Sequence, residues 1–131
     1  MKRILIVDAA AYMRLTLRIM LERYGCQVVG EADNGWAAVQ KCRELIPDIV
    51  IMDITMPLLD GVEATKFIKR YSPNVKIMMI SASGQESAVE KAILNGAVGF
   101  IVNPFNEQQL IESLYTLIDP PNLRLGFQSL T

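Results

Sequence analysis

No histidine occurs in the 131 residues. Nucleophile systems of the Ser-His-Asp and Cys-His kind are therefore excluded, as is any imidazole metal site. Chemistry, if present, must run on carboxylates, hydroxyls and amides. Cysteine is scarce: Cys26 and Cys42 stand apart, without a CxxC pair. They read as reduced thiols of a cytoplasmic protein rather than as a disulfide. Apolar runs reach only about six residues, far short of a membrane span, and the four apolar residues after Lys2 and Arg3 are too few for a secretory core. Basic residues are not in excess, at 13 against 14 acidic ones, so no electrostatic footprint for nucleic acid is visible. What remains is a chain with 51% hydrophobic and 21% charged residues, enough for one compact soluble domain with its own core.

Short apolar runs alternate with helical periods. Strands are expected over 4–7, 28–32, 49–52, 75–80 and 98–102, and helices over about 10–24, 35–45, 62–71, 86–95 and 106–118. Gly25 and Gly96 stand where helices should stop, Pro47 ends another, and Asn34 and Asn106 are placed to start two more. The segment DITMPLLDG at 53–61 reads as a loop. Most of the strands are apolar throughout, as strands buried on both faces should be. Five β-then-α units in one domain over 1–118 imply an α/β fold, a parallel sheet with helices on both faces. Residues 119–131, DPPNLRLGFQSLT, read as a C-terminal tail or a linker stump.

In such sheets ligands gather at the carboxyl ends of the strands. Asp8 ends the first strand, Asp53 the third, Ser81 the fourth and Asn103 the fifth. Singly, a strand-end Asp or Ser is well explained as a helix cap. Together, with Asp53 nine residues from its helix, capping explains too little. In the common strand order 2-1-3-4-5 the first and third strands are neighbours, which sets Asp8 beside Asp53. Paired carboxylates repel unless a proton or cation lies between them. An all-oxygen donor set suits Mg²⁺, and a carboxylate can itself be a nucleophile toward phosphorus.

The segments VDAAAYMR (7–14), PDIVIMDITMPLLDG (47–61), MISASGQ (79–85) and NGAVGFIVNPF (95–105) resemble the response-regulator receiver domain, most of all its stand-alone chemotaxis type. The resemblance covers 2–118 and carries the flavodoxin-like (βα)5 fold of order 2-1-3-4-5, so that order is as much the family's as the pattern's. It implies that Asp53 is the phosphoacceptor, taking a phosphoryl group from a histidine kinase or phosphotransfer protein. It implies Asp8, Asp53 and the backbone carbonyl of Thr55 as Mg²⁺ ligands, Ser81 as the switch hydroxyl, and Phe100 as the aromatic switch residue, though a plain core aromatic explains Phe100 nearly as well. Ala82 fits the small position that leaves the acceptor accessible. The fourth helix, fifth strand and fifth helix would face a downstream protein target, with the chain a monomer or weak dimer and not an enzyme. A cis Asn103–Pro104 bond is expected as well.

Two departures touch the chemistry. The family has a second acid after the first strand, where Ala9 stands, and a lysine before the proline, where Asn103 stands. Mg²⁺ is accordingly expected to bind weakly. A working but atypical receiver is the first reading. A pseudo-receiver, binding partners without phosphate, is the second. A phosphatase or flavin-binding enzyme on the same fold comes last, because VDAAA lacks D-x-D and AAAYMR lacks a hydroxyl-rich phosphate loop.

Overall fold

The structure, a computed structural model, describes residues 2–118; the tail at 119–131 lies outside the described residues. Strands and helices alternate as β1 (Arg3–Val7), α1 (Ala11–Arg23), β2 (Gln27–Ala32), α2 (Gly35–Leu45), β3 (Ile49–Asp53), α3 (Gly61–Tyr71), β4 (Lys76–Ala82), α4 (Glu86–Leu94), β5 (Gly99–Asn103) and α5 (Glu107–Ile118). The strands form one parallel sheet of order β2-β1-β3-β4-β5, the order expected.

Alternation along each strand sorts the core into two layers. Leu5, Val7, Val50, Met52, Ile77 and Met79 point to one face, where Ala38, Val39 and Cys42 of α2, Ala64 and Ile68 of α3, and Val89 and Ala92 of α4 cover them. Ile4, Ile6, Ile49, Ile51, Met78 and Ile80 point to the other, under Met13, Leu17 and Leu21 of α1 and Leu110, Ile111, Leu114 and Leu117 of α5. Successive side chains of a strand leave on opposite sides. A central strand needing apolar cover on both therefore reads as an unbroken apolar run.

Helix starts follow their capping residues. The Asn34 and Asp60 side chains accept from the backbone N–H groups of Ala37 and Glu63, each at 2.9 Å. At α5, the Asn106 side chain accepts from the Gln109 N–H at 2.8 Å while the Gln109 side chain accepts from the Asn106 N–H at 2.9 Å, a reciprocal capping box. Gly25 takes φ +81° after α1, the left-handed turn that glycine adopts without penalty. Helix α2 ends at Leu45, as expected. Its C-cap, Ile46, takes the left-handed conformation at φ 49°, one residue before the Pro47 that cannot continue the helix. Strand bounds moved: β4 runs on to Ala82 and β5 includes Asn103, so both polar strand ends are held in the sheet ladder and not in loops.

Candidate functional site

The register brings the expected residues to one edge. Val7 pairs with Met52, so Asp8 lies level with Asp53. Asp53 pairs with Ile80, and the next pairs along β4 and β5 are Ser81 with Val102 and Ala82 with Asn103. Asp8 and Ser81 are buried, at 5% and 2% exposure. Asp53 is half-buried, and Thr55, Ala9 and Asn103 are exposed. The Asn103–Pro104 peptide is cis.

Asp8 is fixed by its surroundings. One carboxylate oxygen accepts from the Ala10 N–H at 2.8 Å, and the Asp8 N–H donates to the Ala32 carbonyl at 3.0 Å. Burial raises its carboxyl above the usual range, against the Ala10 hydrogen bond and the Arg14 guanidinium, which lower it. Asp53 is raised further, from 3.8 to about 6. Burial is the larger cause and the Asp8 charge the second, and the neighbouring backbone N–H groups of Thr55 and Ile54 offset part of it. The site thus holds two carboxylates that discourage each other's charge.

Whether Mg²⁺ suits these residues turns on that donor set. Among the described residues no group of three or more His, Cys, Asp or Glu side chains is arranged to hold a metal. The carboxylates of Asp8 and Asp53, level at the sheet edge, do suit Mg²⁺, which takes one or two carboxylates and keeps several waters. Their mutual repulsion is what a divalent cation would remove. The residues fit the ion, with one carboxylate fewer than the family pattern supplies.

Two neighbours were not anticipated. Arg14 donates to the Asp8 carbonyl at 2.7 Å and pairs with Glu31 at 3.0 Å, while Arg18 reaches the same Glu31 at 2.8 Å. A cation therefore stands beside Asp8, although the strand ends supply none. Its position six residues past Asp8, in the second turn of α1, was the available signal. Gln85 is the second: it accepts from the Ala82 N–H at 2.6 Å and donates to the Thr55 hydroxyl at 2.9 Å.

Phe100 points outward and is 47% exposed. Beside it, between α4 and β5, lies a cavity of about 380 Å³ walled by Ser81, Ala82, Val89, Phe100 and Val102. Leu94, Val98 and Val102, in and around α4 and β5, are exposed as well.

A family model described as the response regulator receiver domain matches residues 4–115. The chemotaxis protein CheY of Thermotoga maritima is 50% identical over 113 residues, spanning 86% of this chain and 94% of that protein. CheY of Bacillus subtilis is 49% identical over 112 residues, spanning 86% and 93%. Among solved structures, the CheX-CheY-BeF3-Mg²⁺ complex from Borrelia burgdorferi superposes with a TM-score of 0.85 at 30% identity, covering 89% of each chain.

Proposed function

The chain belongs to the response regulator receiver domain family, and from that premise we propose that it is a two-component signalling receiver that accepts a phosphoryl group on Asp53. The observation that carries this reading is Asp53 itself. It is half-buried at the carboxyl end of β3, level with buried Asp8 and next to the strand that ends in Ser81.

A carboxylate oxygen of Asp53 attacks phosphorus in line with the donor's leaving group. The new O–P bond forms as the old bond to phosphorus breaks, and its electron pair leaves on the ring nitrogen of a phosphohistidine or on the acetate of acetyl phosphate. The product is an acyl phosphate. Asp8, Asp53 and the Thr55 carbonyl would hold Mg²⁺, which when bound would neutralise charge on the phosphoryl oxygens. The Ser81 hydroxyl donates to one of those oxygens, and the Asn103 amide donates to another where the family places a lysine. As Ser81 moves toward the phosphoryl group, the Phe100 ring turns into the cavity behind it and the α4-β5-α5 face changes shape. That face meets the downstream protein, and a histidine kinase or phosphotransfer protein supplies the phosphoryl group in the cytoplasm. The Mg²⁺-bearing CheY of the Borrelia complex, with CheX as its partner, supports this assignment by family.

Both steps are weakened here. Ala9 brings no second carboxylate to the metal and Asn103 no cation to the phosphoryl group. A charge-assisted hydrogen bond contributes about 1.5–3 kcal/mol, so each loss slows transfer or weakens Mg²⁺ binding by roughly tenfold or more. The test is intact mass after incubation with acetyl phosphate, with Mg²⁺ and with EDTA. A labile gain of one phosphoryl group that needs Mg²⁺ supports the reading. No gain at high donor and Mg²⁺ would replace it with a phosphorylation-independent interaction module.

The two departures are expected to be coupled. Family members carry three carboxylates and a lysine at these positions, a formal −2; Asp8 and Asp53 without the lysine give −2 again. Ala9→Asp alone should lower the metal-free melting temperature by taking the pocket to −3, an effect that the nearby Arg14 reduces. Asn103→Lys added to it should recover the loss. A double-mutant cycle of melting temperatures should show an interaction above about 0.5 kcal/mol. Simple additivity would remove charge balance as the reason for Ala9.

A further inference from the structure

Gln85 uses its side chain in a way its position does not require. It occupies the N-cap of α4 yet makes no capping bond to that helix. Its amide turns back over the sheet edge, accepting from the Ala82 N–H at 2.6 Å and donating to the Thr55 hydroxyl at 2.9 Å. Gly84, at φ +91°, supplies the reversal that permits this. One half-buried side chain thereby ties the β3–α3 loop to the β4–α4 loop.

Both anchors border the proposed acceptor. Thr55 lies two residues past Asp53, in the loop that leaves β3. Ala82 follows Ser81 directly, at the end of the strand beside Asp53.

We propose that Gln85 is a positioning residue that holds the entrance to Asp53 shut to phosphoryl groups in the resting chain. The inference rests on Asp53 being the acceptor. A phosphoryl group brings anionic oxygens to this strand end, and hydrogen bonds from N–H to an anion are stronger than those to a neutral amide. The Ala82 N–H is a single donor. When a phosphoryl oxygen takes it, Gln85 Oε1 must leave, and its lone pairs cannot stay facing the new negative charge. Releasing Gln85 also frees Thr55, so the two loops separate as the phosphoryl group arrives. The resting tie is a barrier that each transfer has to open.

Intact-mass time courses with acetyl phosphate and Mg²⁺ on the parent chain, Gln85→Ala and Gln85→Glu test this. Gln85→Ala removes the competitor and should be phosphorylated about threefold to tenfold faster, the effect of one net hydrogen bond. Gln85→Glu keeps an acceptor for the Ala82 N–H and adds a negative charge beside Asp53, so it should be slower than the parent. A purely structural role would shift both variants the same way, so Gln85→Glu as fast as Gln85→Ala overturns the inference. So does Gln85→Ala no faster than a parent chain that is itself phosphorylated, an outcome that leaves Asp53 as acceptor. No uptake by any of the three removes the Asp53 reading and the inference with it.

Discussion

In metal-free buffer at pH 7.5, Asp53→Asn is expected to melt above the parent chain, by roughly 5–10 °C. The reason is the raised carboxyl of Asp53, at about 6 in the folded chain against 3.8 as its ordinary value. An acid whose folded value is raised holds its proton more tightly when folded. Its penalty is absent below about 3.8, grows between there and about 6, and is complete above 6. The two-unit difference corresponds to about 3 kcal/mol. Solvent screening of a half-exposed group reduces that to about 1–2 kcal/mol. Asparagine is close to aspartate in shape and carries no charge against Asp8. The gain should shrink toward pH 4, where the parent's Asp53 is protonated too. Thermal melts across pH 4–8 check this. Equal melting temperatures at pH 7.5 would mean that Asp53 is not held in a repulsive, desolvated pocket. Adding Mg²⁺ should raise the parent's melting temperature and leave Asp53→Asn nearly unmoved, since an ion stabilises only the state that binds it.

Gly61→Ala is expected to lower the melting temperature by a similar amount in the opposite direction. Gly61 opens α3 directly against the strand that carries Asp53. A Cβ there would meet the Asp53 carbonyl oxygen closer than any real contact, with the Met79 methyl at 2.8 Å and Ile54 Cα at 3.0 Å. A methionine end can move, but the backbone of β3 cannot move without shifting Asp53. Overpacking of this kind costs about 1–3 kcal/mol. The Gly61 N–H also donates to the Ile54 carbonyl at 2.7 Å, and the buried Thr65 hydroxyl donates to the Gly61 carbonyl at 2.8 Å, so the helix cannot slide away. Slower phosphorylation should accompany the lost stability. A melting temperature within about a degree of the parent would show that this contact relaxes freely.

The fold was legible because its signals are local and repeated. Runs such as Ile4–Val7 and Ile49–Met52 are apolar at every position, which only a strand covered on both faces requires. Asn34 and Asn106 marked helix starts by side-chain chemistry that acts within three residues. The acidic pair was legible once a strand order was assumed, since register then sets Asp8 level with Asp53. What escaped was whatever depends on a third dimension. Ile46 gives no glycine-like warning of its left-handed turn. Arg14 looks like one more polar residue of α1, and only the fold shows it against the Asp8 carbonyl. Gln85 is tied to Thr55 across 30 positions of sequence, and nothing in SASGQE says which way its amide turns. The exposure of Phe100 and the cavity beside it were equally invisible, because they depend on how α4 lies over β5.

Phosphoryl uptake by the parent chain and by Asp53→Asn, followed by intact mass with acetyl phosphate and Mg²⁺, tests the central claim most directly. The parent should gain one labile phosphoryl group, and Asp53→Asn, folded and melting higher, should gain none. An equal gain in Asp53→Asn, or no gain in the parent at saturating donor and Mg²⁺, would contradict the assignment of Asp53 as the acceptor.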